Sequence, residues 1–165
     1  MTTDIKIRWD NDLMEGDFIF EDNDLDTDEG LGTAVMISWF TDQRASDDDI
    51  IPNADNNQEF IDKRGWWGDL VDSVVVGDEI GSKLWLLNRS KTTQQNITDG
   101  IDYGTEALDW MKQDGIAKDI TVTGERQKYN NDYVLALQAE ITKADGNKVN
   151  ISFDPEWWAT FNEGD

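Results

Sequence analysis

The chain has 165 residues and carries 36 acidic against 14 basic side chains, a formal net charge of −22, with no Cys, no His, 2 Pro and 8 Trp. The missing Cys and His exclude a disulfide framework, a thiolate or imidazole metal site, a cysteine nucleophile and a Ser-His-Asp triad. A surface this acidic repels phosphate backbones, which argues against general nucleic-acid binding.

The 17 aromatic side chains (8 Trp, 6 Phe and 3 Tyr) argue against simple disorder. The length suits one domain, residues 1–165. No apolar run approaches the ~20 residues that span a bilayer. The start, Met1-Thr2-Thr3-Asp4-Ile5-Lys6, lacks the basic and apolar pattern of a signal peptide. The expectation is a protein made and kept in a cytoplasm, or built into something assembled there.

Taken in order, residues 1–30 read as an extended acidic arm with short apolar pieces at Ile5–Trp9 and Asp17–Phe20. Asp makes up 26 of the 36 acids, and Asp favours turns and caps over helix interiors. The dense runs, residues 21–29 and Asp47-Asp48-Asp49, therefore read as solvated loops. Leu31–Thr41 is too long and unpunctuated for one strand and reads as a mostly buried helix, with Asp28 and Glu29 just ahead of its N-terminus. Residues 45–81 read as a long irregular segment containing Pro52. Loops this long in a compact domain usually lie against a partner or carry function.

Ser82 is placed to cap a short helix through Leu87. A longer helix is expected over roughly residues 93–114, where Ile97, Ile101, Leu108 and Met111 share one face. Gly100 and Gly104 interrupt it and permit close packing, and Gly115 suits the residue that ends it. Strands follow at Ile120–Thr123, Tyr133–Ile141 and Val149–Phe153. The last two form a hairpin whose register is derivable. A two-residue Asp-Gly loop would set Ile141 against Asn150, apolar against polar. A three-residue loop, Ala144-Asp145-Gly146, sets Lys143 against Asn147, Ile141 against Val149, Ala139 against Ile151 and Leu137 against Phe153. That register predicts a type I turn with Gly146 in a left-handed conformation.

The expected class is α+β: a small antiparallel C-terminal sheet of three to four strands packed with two to three helices, an extended N-terminal arm and a long irregular central loop. The divisions are 1–30 for the arm, 31–115 for helices and loop, 116–154 for strands and 155–165 for a tail.

Calcium is the first chemistry to test against an Asp-rich loop. From Asp22, an EF-hand register puts Asp24 and Asp26 at positions 3 and 5 but Thr27 and Thr33 at 6 and 12, so the turn glycine and the bidentate ligand are missing. No metal site and no cofactor are assigned. Paired carboxylates with Trp66, Trp67, Trp157 and Trp158 would suit glycoside cleavage, but so many acids guarantee accidental pairs, and none is singled out as a catalytic residue. Arg64-Gly65-Trp66-Trp67-Gly68-Asp69 has two readings. Its indoles plug the edge of the core with Arg64 paired to an acid, or it is an interface anchor, since Trp and Arg dominate binding hot spots. The C-terminal Trp157-Trp158 either caps the sheet or docks on a neighbour.

In this order these pieces resemble the baseplate wedge and sheath-initiator proteins of contractile-tailed phages, in the Mu-like branch. The residues carrying the resemblance are Gly16-Asp17-Phe18, Leu31–Ala45, Arg64–Asp69, Gly81–Leu87, Ala107–Trp110, Asp114-Gly115 and the closing hairpin. It runs from about Asp4 to Asp154. The resemblance implies a structural, non-enzymatic role in the virion's tail baseplate, within a hetero-oligomer assembled in the host cytoplasm. Its implied partners are other wedge proteins, the tail sheath protein and the central spike or hub, with no nucleic acid and no membrane. The wider family's Gly-Glu-Arg segment followed by Arg-Pro and Gly is matched only by Arg44 and by Arg64-Gly65, with Asp42 the nearest acid. The implied partner-binding residues are Asp42, Arg44, Arg64, Gly65, Trp66, Trp67, Gly68 and Asp69. The candidate strand-addition edge holds Val149, Ile151 and Phe153. The competing classes are an acidic DNA-mimic inhibitor and a cell-wall glycan binding or cleaving module.

Overall fold

The computed structural model describes residues 4–5, 7–10, 15–18, 20–21, 24–25, 27–28, 31–52, 62–70, 79–87, 93–129 and 132–152. The expected arm is not a single extended segment. Its six short strands pair with one another, all antiparallel: β1 (Asp4–Ile5) with β6 (Thr27–Asp28), β2 (Ile7–Asp10) with β3 (Glu15–Phe18), and β4 (Phe20–Glu21) with β5 (Asp24–Leu25). Asp28, expected to favour the next helix's N-terminus, instead belongs to β6, opposite Asp4.

Helix α1 (Gly32–Phe40) occupies the predicted span. Leu31, at φ 65°, is its N-cap, and no side chain caps it. Val35 and Trp39 are buried, and Ile37 alone of the helix's large side chains is exposed. Ser82 caps as expected, but the segment is a 3-10 helix, Leu84–Leu87, whose Leu84 N–H donates to Ser82 Oγ at 3.2 Å.

The single helix expected over residues 93–114 is two: α2 (Gln94–Glu106) and α3 (Asp109–Gln113). Thr93 caps α2 by accepting from the Asn96 N–H. At the junction the Leu108 N–H donates to the Thr105 carbonyl, tightening the turn to 3-10 geometry. The Gly104 carbonyl instead accepts from Trp39 Nε1 at 2.9 Å. The break therefore exchanges a helical hydrogen bond for a tertiary one that ties α2 to α1. Gly100 gives the close approach expected of it, although against a side chain: a Cβ there would lie 2.3 Å from Leu135 Cδ2. Helix α3 closes with a Schellman motif. The Ile116 N–H donates to the Met111 carbonyl and the Gly115 N–H to that of Lys112, with Gly115 at φ 70°.

The sheet is antiparallel in the order β7 (Ala117–Tyr129), β8 (Asp132–Lys143), β9 (Lys148–Ser152). A register shift between Ala117 and Asp119 puts Ala117 on the same buried face as Ile120 and Val122. The β8–β9 register is the derived one: Ile141 opposite Val149 and Ala139 opposite Ile151, with the Lys143 N–H donating to the Asn147 carbonyl at 2.8 Å. Gly146 sits at φ 91° and closes the turn onto the Lys143 carbonyl. The expected Leu137–Phe153 pair lies outside the described residues, as do Trp157 and Trp158. One core unites Val35, Trp39, Leu84, Leu108 and Met111 with Ile120, Ala139, Ile141 and Ile151 of the sheet. The class is α+β, as expected.

Candidate functional site

The site is built where three stretches of chain cross. Just beyond α1 the backbone turns extended at Thr41. On one side Asp42 forms a parallel bridge with Ser82; the Ser82 N–H donates to the Thr41 carbonyl and the Gln43 N–H to the Ser82 carbonyl. Ser82 Oγ also donates to the Trp39 carbonyl at 2.6 Å. On the other side the Ala45 N–H donates to the Lys63 carbonyl at 2.9 Å. Residues 41–45 are thus held between the 80–82 and 62–64 segments.

Here the chain makes a left-handed turn through Arg64 (φ 52°) and Gly65 (φ 107°). A left-handed non-glycine is costly, about 1–2 kcal/mol, and three contacts hold it. Its N–H donates to Asp62 Oδ1 at 2.8 Å. Its guanidinium donates to Asp42 Oδ2 at 2.6 Å and lies 4.7 Å from the Trp85 ring centroid. Trp85 is itself buried, its Nε1 donating to the Gln43 carbonyl at 2.8 Å. Arg44 reaches the Arg64 carbonyl only at 3.5 Å, a long contact.

The turn delivers Trp66 and Trp67, whose ring centroids are 5.4 Å apart with planes tilted 44°. Trp67 opens a 3-10 helix, Trp67–Leu70, with the Asp69 N–H on the Trp66 carbonyl. The Trp66 ring folds back over Gly68, where a Cβ would sit 2.0 Å from it. Trp66 is 37% exposed and Trp67 72%. Trp39, Trp85 and Trp110 all donate their indole N–H to protein acceptors. Of the two readings of this segment, the core-edge plug is met in part: Arg64 is paired to Asp42, but both indoles are exposed, Trp66 only partly.

The structure therefore brings Asp42, Arg44, Arg64, Gly65, Trp66, Trp67, Gly68 and Asp69 together. Val149 and Ile151 lie apart, on β9, and both pack against the core. Among the described residues, the exposed side chains of that strand are Lys148, Asn150 and Ser152. Phe153 is outside the described residues. Sequence reasoning did not connect Trp85, Gln43 and Gly81 to the site. Their partners lie 21 to 42 residues away in the chain, and no periodicity signals such contacts.

A second cluster fastens the acidic loop to the crossing. Asp49 Oδ2 accepts from the Ser46 N–H and Oγ and from Lys83 Nζ at 2.9 Å. Burial pushes the Asp49 carboxyl up, but hydrogen bonds from Lys83 and Ser46 outweigh it and hold it below its ordinary value of 3.8. The hydrogen bond to Asp49 raises Lys83 above 10.5 against the opposing effect of burial. A depressed carboxylate stabilises the fold fully above its unfolded value and loses that contribution as pH falls through the folded one. Asp49→Asn is expected to cost roughly 1 kcal/mol near neutrality, as a partly buried ion pair should. In urea titrations run at successive pH values, the difference from the parent should shrink below about pH 3.8. A constant difference down to pH 2 would exclude the ion pair as its origin.

The chain belongs to a phage protein family: residues 31–148 match the model described as "Phage protein GP46". Baseplate protein gp46 of Escherichia phage Mu is 37% identical, over 92% of this chain and 94% of the relative. The Mu-like prophage FluMu protein gp46 of Haemophilus influenzae is 32% identical, over 94% and 98% respectively. No solved structure matches. The matched span contains the crossing, both exposed indoles and the β8–β9 turn. The resemblance read from the residues and the family match thus agree on a Mu-like phage protein.

Proposed function

We propose that the protein is a structural component of a phage tail baseplate, and that within it the chain joins the inner wedge and offers a sheet edge on which the contractile sheath starts. Membership of a family that includes the Mu baseplate protein supports the baseplate role. The observation that carries the wedge contact is the exposed Trp66–Trp67 pair, held in place by a left-handed Arg64 that is locked on Asp42 and Trp85. Backbone strain maintained by surrounding contacts concentrates at functional positions, and Trp with Arg is the common composition of interface hot spots.

The sheath contact uses β9. Among the described residues β9 pairs with β8 alone. Lys143 and Asn147 form a hydrogen-bonded pair, and such pairs alternate along an antiparallel ladder. Val149 and Ile151 therefore bond to β8, and the N–H and C=O of Asn150 point to the free edge.

One experiment tests both contacts: co-expression with the neighbouring tail genes, followed by affinity capture and electron microscopy of the products. Arg64→Ala with Trp66→Ala is expected to lower recovery of the wedge complex at least tenfold, while circular dichroism of the isolated protein keeps its native form. Asn150→Pro removes only an outward N–H, which an edge strand tolerates. It should leave wedge recovery intact and abolish sheath recruitment. Unchanged recovery of the double variant would overturn the wedge contact, and normal sheaths on Asn150→Pro would overturn the β9 edge.

A further inference from the structure

We infer that the Trp66–Trp67 surface receives a cationic, arginine-bearing segment of a partner protein. This rests on the reading above that the surface is an interface, and adds the chemistry of what it binds. The two indoles are adjacent large apolar side chains in the open, 5.4 Å apart. Among the described residues, the crossing that carries them also carries Asp62, Asp69 and Glu79, none of which is ion-paired. Arg64 is committed to Asp42 and Trp85, Lys63 to Asp47, and Arg44, the further cation here, lies against the Arg64 carbonyl and in the field of Asp47. The hydrogen bonds that Asp62, Asp69 and Glu79 accept come from neutral donors, the N–H groups of Arg64 and Ile80 and the side-chain amide of Gln43. None of these bonds brings a cation to the three carboxylates.

An indole face set among uncompensated carboxylates attracts a cation twice, through the ring quadrupole and through the field of the acids. An anionic segment is repelled, and a second copy of a chain with net charge −22 is disfavoured for the same reason. Arginine suits the site better than lysine. Its guanidinium is planar, weakly hydrated and able to stack on an indole while donating to a carboxylate. The molecule already contains this arrangement in Arg64, stacked on Trp85 and bonded to Asp42.

The test uses the full chain, labelled with 15N, and follows its tryptophan indole N–H resonances, assigned through single Trp→Phe variants. The probes are blocked tetra-arginine, tetra-lysine and tetra-glutamate peptides at low and moderate salt. Expected are saturable shifts of the Trp66 and Trp67 signals with tetra-arginine, roughly threefold weaker binding of tetra-lysine and none of tetra-glutamate. Trp67→Ala should weaken tetra-arginine binding about fivefold. Asp69→Asn, which keeps an oxygen for the Ile80 N–H while removing the charge, should weaken it and reduce its salt dependence.

Unmoved Trp66 and Trp67 signals, or unchanged affinity in Trp67→Ala, would overturn the inference by placing the peptide elsewhere on the acidic surface. So would equal binding of tetra-glutamate, or sedimentation of a Trp67-dependent dimer without peptide. These outcomes are separable from failure of the interface itself. If the Arg64→Ala, Trp66→Ala variant still loses the wedge complex, the interface stands and only the cationic partner falls.

Discussion

Gly81→Ala should destabilise the protein by about 3 kcal/mol and disturb the Trp66–Trp67 surface with it. Gly81 adopts φ 113°, which an L side chain disfavours by roughly 1–3 kcal/mol. A Cβ there would also lie 2.4 Å from the Thr41 carbonyl oxygen and 2.9 Å from the Gln43 nitrogen. Both are backbone atoms, so no rotamer change relieves the clash. Both also belong to the bonds that join the 41–43 and 80–82 segments. Opening that pairing displaces Asp42 and Gln43, which hold Arg64 and Trp85.

Gly146→Ala separates the two contributions. Gly146 is at φ 91° but has nothing within 4 Å of its missing Cβ, so only the backbone cost applies, about 1 kcal/mol. Urea midpoints for both variants, with near-ultraviolet circular dichroism, give the comparison. Equal losses would mean that the crossing relaxes freely and does not rigidly support the site.

The two glycines also mark what the amino-acid sequence discloses. The turn at Gly146 is local. A period-two pattern on both sides admits only one register that keeps an apolar face, so the pairing of Ile141 with Val149 follows from the residue pattern alone. Gly115 is local in the same sense, since a glycine after an amphipathic helix is the ordinary C′ residue. Gly81 ends an irregular stretch, and its role depends on backbone atoms about 40 residues earlier.

The split between α2 and α3 is hidden for a related reason. Ile97, Ile101, Leu108 and Met111 fit one continuous helical face, and no Gly or Pro stands at residues 105–109. A tertiary hydrogen bond donated by Trp39 Nε1 to the Gly104 carbonyl stabilises the break, and periodicity cannot register it. At the site, Arg64–Asp69 stands out by composition alone. The placement of the Trp66 ring uses Gly68, over which it folds back, and composition does not announce that contact.

Trp39→Ala should be the most destabilising side-chain truncation, at about 4 kcal/mol. Trp39 is 2% exposed at the centre of the core, and removing a buried Trp side chain typically costs 3–5 kcal/mol. The change also deprives the Gly104 carbonyl of its indole donor at the helix break, where Leu108 has already turned to Thr105. Trp39→Phe retains most of the volume and loses mainly that donor, so about 1–2 kcal/mol is expected. Equal losses in the two variants would assign the effect to the hydrogen bond, and a loss for Phe near zero would assign it to packing alone.

The whole stability of a domain this size is about 5–15 kcal/mol, so Trp39→Ala leaves a substantial unfolded fraction at modest urea. Its effect on partner capture should follow that fraction, because Trp39 lies in the core and its backbone carbonyl bond to Ser82 survives the substitution. Trp67→Ala should behave in the opposite way. At 72% exposure its removal costs little stability, yet it takes away the surface a partner would cover. Measuring stability and capture together on these two tryptophans separates a residue that supports the fold from one that would meet a partner at the proposed interface.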